Sequence, residues 1–158
     1  MEDLSLILWR ERELMEMLLY KLEQEQLVLA TGRTRWLASA AREVDAVLGM
    51  LRQTEVLRAA AADHAAAEVG LLPNPSLSSL AATAPEPWSS ILLEHRDAFL
   101  AYTRQITEMA AVNRDLLTTG YRSARETLMA MADTTETYAP DGTTVVAEHG
   151  RRLVDRSI

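Results

Sequence analysis

The longest unbroken hydrophobic periodicity in the chain lies between Glu86 and Asp133. Stepping by three or four from Trp88 meets Leu92, His95, Phe99, Tyr102, Ile106, Met109, Asn113, Leu116, Gly120, Ala124, Leu128 and Met131, and only His95, Asn113 and Gly120 interrupt an apolar file. Glu94, Arg96, Asp97, Arg104, Glu108, Arg114, Asp115, Arg122, Arg125 and Glu126 fall mostly on the opposite side at 3.6 residues per turn. This predicts one amphipathic helix over about 86–133. Pro85 and Pro87 suit its first turn, where a missing N–H costs little, and no further proline follows before Pro140. At the α-helical rise such a rod spans roughly 72 Å. It cannot bury its apolar face against itself and requires partner helices.

Two further helices are predicted upstream. Leu4, Leu8, Met15, Leu18, Leu22 and Leu29 form a stripe, widened by Ile7, Leu14, Met17 and Val28, that sets a helix over about 2–30. Trp9, Leu19 and Tyr20 lie off the main stripe and read as a broad core face. Gly32 supplies a left-handed stop, and Thr34 is placed to cap a second helix over about 34–68 carrying Leu37, Ala40, Ala41, Val44, Leu48 and Leu51. Its far end, Ala59 to Ala67, is alanine-rich, which favours helix and permits close approach of a neighbour. In the Pro- and Ser-containing connection from Val69 to Glu86, Ser76 is placed to cap a short helix over Leu77 to Ala82 that tucks Leu77 and Leu80 against the bundle. A binding loop is the other reading of this connection. Tyr138 to Gly142 reads as a turn.

Composition agrees with these elements. The chain of 158 residues is rich in Leu and Ala and holds one Phe, six Gly and five Pro, as a helical protein does. The fold class is all-α: an elongated antiparallel helical bundle or coiled coil of three long helices, with a short helix in the second connection. Residues 1–138 form the helical domain and 139–158 a flexible tail. Sixteen basic against 23 acidic residues give a net charge of -7, and the longest basic run is Arg151-Arg152. An acidic surface repels phosphate backbones, so no nucleic-acid partner is expected. The absence of Cys excludes disulfides and thiolate metal sites. No apolar run approaches the ~20 residues of a membrane span, so no membrane insertion is expected and the predicted location is the cytoplasm.

Little in the sequence points to catalysis. His64, His95 and His149 lie on separate segments, and none carries a Glu three residues before it, as di-iron helical bundles require. His64 and Glu68 stand at i, i+4, a weak metal signal alone. There is no phosphate-binding glycine loop, nucleophile elbow or cysteine nucleophile, and no enzymatic activity, metal or cofactor is predicted. His95 is expected to pack within the long stripe. Asn113 replaces an apolar residue in that stripe, where a polar group fixes helix register or else contacts a partner. Gly120 lets a neighbour approach or weakens the rod locally.

Helix lengths add one argument. The second helix spans about 52 Å and the third roughly 72 Å, so an antiparallel pairing leaves about 20 Å, near Gly120 to Asp133, beyond its partners. Leu128, Met129 and Met131 lie there, and flexible methionines suit a surface that accepts a partner helix. The tail, the short helix or a second copy of the chain are the other candidate covers.

In order along the chain, Leu14-x3-Leu18, Leu22-Glu23-Gln24-Glu25, the turn at Gly32, the second helix ending near Glu55 to Arg58, Asn113 with Leu116-Leu117, and the Tyr138-x3-Gly142 ending resemble the FlgN family of flagellar export chaperones over nearly the full length. The resemblance implies a small cytoplasmic helical protein that binds the C-terminal segments of the hook–filament junction proteins FlgK and FlgL, keeps them unassembled, and delivers them to the export gate at the membrane. It assigns client binding to the carboxyl half of the long helix, at Leu116, Leu117, Tyr121, Ala124, Leu128 and Met131, and an export-gate contact to Tyr138. The alanine-rich second helix and the proline-rich connection depart from the family pattern. The competing reading is a structural coiled-coil protein that self-associates as a homodimer.

Overall fold

The computed structural model describes residues 1–135. These residues form α1 (Glu2–Ala30), a 3-10 turn (Thr34–Trp36), α2 (Leu37–Glu68), α3 (Leu77–Thr83) and α4 (Trp88–Thr135), with no strand among them. The chain divides into two compact units, Met1–Leu117 and Thr118–Ile158.

In the first unit, α1 ends where its sequence predicts. Gly32 adopts φ +66, Gly32 N–H donates to the Leu29 carbonyl at 3.2 Å and Arg33 N–H to the Val28 carbonyl at 3.2 Å. These two bonds satisfy carbonyls that the last helical turn leaves open, and the positive φ is what favours glycine there. The second helix begins later than the pattern suggests. Thr34 lies in the 3-10 turn, and neither Arg33 before the turn nor Trp36 before α2 makes a side-chain cap. Trp36 already has near-helical backbone angles, so the turn feeds directly into α2. The extended position from which a Thr hydroxyl reaches back to the first N–H groups does not exist here.

At its other end α2 repeats the α1 solution. Gly70 has φ +74, and Leu71 N–H donates to the Ala66 carbonyl at 2.9 Å. The short helix in the following connection forms as predicted: Ser76 Oγ accepts from Ser79 N–H at 3.0 Å. Pro85 and Pro87 fall just ahead of α4 rather than within it, and the Pro85 carbonyl receives Trp88 N–H at 2.9 Å. The Glu86 carboxylate accepts both the backbone N–H and the hydroxyl of Ser90, at 3.3 and 2.9 Å. Its bond to the backbone N–H covers a donor that the first turn leaves unpaired internally.

Two apolar clusters hold this unit. In one, Leu4 and Leu8 of α1 meet Ala62, Ala65 and Ala66 of α2, Leu80, Ala81 and Ala84 around α3, and Leu92 of α4. The alanines are what let α3 lie so near, because a larger side chain would fill the space Leu80 takes. In the other, Leu18 and Leu22 pack with Val47, flanked by Val44, Leu48, Ile106 and Met109. The start of α1 thus meets the end of α2, so these two helices run antiparallel. Along α4, Leu92 joins the first cluster and Ile106 the second, the same direction as α1. Ser89 Oγ donates to the Ala81 carbonyl at 2.7 Å and fastens α4 to α3.

Candidate functional site

The stripe of α4 changes character along its length. Trp88, Phe99, Tyr102, Ile106, Met109 and Leu116 are half-buried and Leu92, His95 and Asn113 are buried, whereas every described side chain from Leu117 to Ala132 is exposed. The same apolar periodicity therefore continues into the exposed stretch.

Within the buried part, both polar interruptions have defined surroundings. His95 is 1% exposed, 4.9 Å from the Trp9 ring in an edge-to-face arrangement and 6.2 Å from Phe99. Neither imidazole nitrogen has a hydrogen-bond partner. Burial holds its pKa below the ordinary histidine value, Arg12 adds to the depression, and Glu94 opposes it. Asn113 is buried, and its Nδ2 donates to the Leu22 carbonyl and to Glu25 Oε2, each at 2.9 Å. Such bonds form only when α1 and α4 are aligned in this register, as the polar interruption suggested. On α1 and α2, Arg58 Nε stands 2.9 Å from Glu11 Oε2 without hydrogen-bond alignment. Burial raises the Glu11 pKa against the pull of Arg58, and Glu55 adds to the rise.

The residues assigned to client binding fall in both units. Leu116 is half-buried. Leu117, 50% exposed, lines a groove of about 290 Å³ with Leu22, Leu29, Leu37, Ala41 and Ala110. Leu37 and Ala41 become part of its wall because the hairpin at Gly32 folds the start of α2 back on the end of α1, and the sequence carries no signal for that groove. In the second unit, Tyr121 is 73%, Leu128 67% and Met131 62% exposed, and Ala124 is exposed as well. They recur at three, four and three residues, the spacing of one helix face. No atom lies within 4 Å of where a Gly120 Cβ would stand, so close approach of a neighbour does not explain that glycine among the described residues. Tyr138 lies outside the described residues.

His64 Nδ1 sits 3.4 Å from Glu68 Oε1, yet no group of three or more metal-ligating residues occurs among the described residues. No helix there is long and apolar enough to cross a membrane.

No curated protein and no solved structure matches the chain. The family model described as FlgN protein matches residues 1–145, which takes in all four helices. FlgN proteins are flagellar export chaperones and not an enzyme family. A match over that length, on a chain whose described elements are all helices and which carries the ordered features described above, places it in the FlgN family.

Proposed function

We propose that this chain is a cytoplasmic flagellar type III export chaperone that binds the C-terminal segments of the hook–filament junction proteins FlgK and FlgL, keeps them unassembled and delivers them to the export gate at the membrane. Leu116, Leu117, Tyr121, Ala124, Leu128 and Met131 form the client-binding side, and Tyr138 contacts the gate. In this reading the three long helices make one antiparallel bundle, and α4 supplies both its third strand of packing and the client face.

The observation that carries the reading is the run of exposed Leu, Tyr and Met side chains that continues the buried stripe of α4. A soluble helix gains nothing from keeping such side chains in water, and an amphipathic partner helix laid on them buries both apolar faces. Calorimetric titration with the C-terminal helical segments of FlgK and FlgL tests it. Saturable binding with a negative heat-capacity change is the expected result, because apolar burial lowers heat capacity. Absence of heat and of co-elution removes these clients. A homodimer that ignores both segments, seen by light scattering over a concentration series, would favour the self-associating coiled coil, since a second copy could cover the same side chains.

A further inference from the structure

His95 has no place in client binding, yet it is the one imidazole among the described residues that is fully enclosed. It lies on α4 between Leu92 and Phe99, both of which belong to or pack on the cluster that joins α1, α2, α3 and α4. Trp9 of α1 closes over it edge to face. Arg12 in turn lies over the Trp9 ring, 4.4 Å from its centroid, and its Nη1 reaches Glu94 Oε1 at 3.1 Å. The imidazole therefore sits under a cover made of an indole, a guanidinium and a carboxylate, with half-exposed Trp9 as its outer wall.

A neutral imidazole fits there as an aromatic disc. An imidazolium does not, because both nitrogens lack partners and burying an unpaired cation is strongly unfavourable. The charged groups beside it are Arg12 from α1, which repels the cation, and Glu94 from its own helix, which favours it but is already engaged by Arg12. We propose that His95 is an acid-sensitive latch between α1 and α4: the neutral ring holds the joint closed beneath Trp9, and protonation opens it. Opening moves Trp9 off the ring and exposes the Leu92 and Phe99 end of the core.

The native pKa lies below the ordinary value of 6.5, so the open form takes up the proton first. The closed state is fully favoured above 6.5 and loses up to about tenfold in its equilibrium per pH unit below it, until the native pKa is passed. Glu11 titrates in the opposite sense and is separated by its own variant.

The test uses the full chain with Trp36→Phe and Trp88→Phe, which leaves Trp9 as the only indole, and follows its emission from about pH 7.5 to about pH 5. The expected result is a reversible emission change with its midpoint below 6.5, lost in His95→Phe and retained in Glu11→Gln. Proton NMR of the His95 ring, assigned by its disappearance in His95→Gln, should titrate over the same range. A flat wild-type profile overturns the proposal. So does an unchanged transition in His95→Phe, or a His95 resonance that titrates at or above 6.5 while Trp9 emission stays constant. If His95→Phe does not fold, His95→Gln takes its place in the emission series, and persistence of the transition there is equally fatal.

Discussion

Removing Leu128 and Met131 is the most direct perturbation of the proposed client face. Their side chains are 67% and 62% exposed, so about two-thirds of the apolar area of each is available to a partner. Full burial of a Leu or Met side chain is worth about 1.5–3 kcal/mol, which leaves ~1–2 kcal/mol for each to gain on binding. The Leu128→Ala, Met131→Ala double variant should therefore weaken client binding by roughly 30-fold to nearly 1,000-fold, at about 1.4 kcal/mol per factor of ten. Alanine is also the best helix former, so the cost to α4 itself stays within about 0.5 kcal/mol. Leu128→Asp with Met131→Asp should abolish binding outright, because each carboxylate must be desolvated against an apolar client surface. Calorimetry against the FlgK and FlgL segments measures the affinity, with circular dichroism confirming helicity. An unchanged Kd in either double variant would refute the assignment of this face, and a Kd change accompanied by lost helicity would refute the claim that these side chains serve binding rather than folding.

Three further outcomes test the first unit. Leu8→Ala, at a site 0% exposed among Ala62, Ala65, Ala66, Leu80 and Leu92, should destabilise the fold by about 2–5 kcal/mol in urea unfolding, whereas Leu6→Ala on the exposed side should change it by less than about 0.5. Asn113→Ala removes the bonds to Leu22 and Glu25 and should cost about 2–4 kcal/mol, one of the two being charge-assisted; a stability loss below about 0.5 kcal/mol in the same assay would deny Asn113 its aligning role. Glu11 has a raised native pKa, so its contribution is present below 4.5 and is lost as pH rises through the native value. The wild type should accordingly gain stability relative to Glu11→Gln as pH falls toward 4.5, and parallel urea midpoints of the two proteins across that range would contradict it.

The pattern of apolar positions determined the helices because a helix is a local object: hydrogen bonds run four residues back, and Gly32, Gly70 and Ser76 mark ends that depend only on nearby chain. Burial of His95 within the stripe and the capping of α3 by Ser76 were legible on the same ground. The start of α2 was not, since whether Thr34 caps a helix or enters a 3-10 turn depends on how the hairpin closes. The order of motifs likewise sufficed to suggest the family that the match over residues 1–145 shows.

Partnerships across the chain were decided only by the tertiary structure. Nothing near Asn113 in sequence announces Leu22 and Glu25, and nothing near His95 announces the Trp9 and Arg12 cover. Off-stripe Trp9, read from the sequence as a widened core face, instead closes over a buried imidazole. The groove at Leu117 exists because α1, α2 and α4 meet there, and Tyr121, Leu128 and Met131 are exposed with no change in their periodicity. Periodicity states which side of a helix is apolar; only the assembled helices decide which stretch of that side is covered and which is exposed.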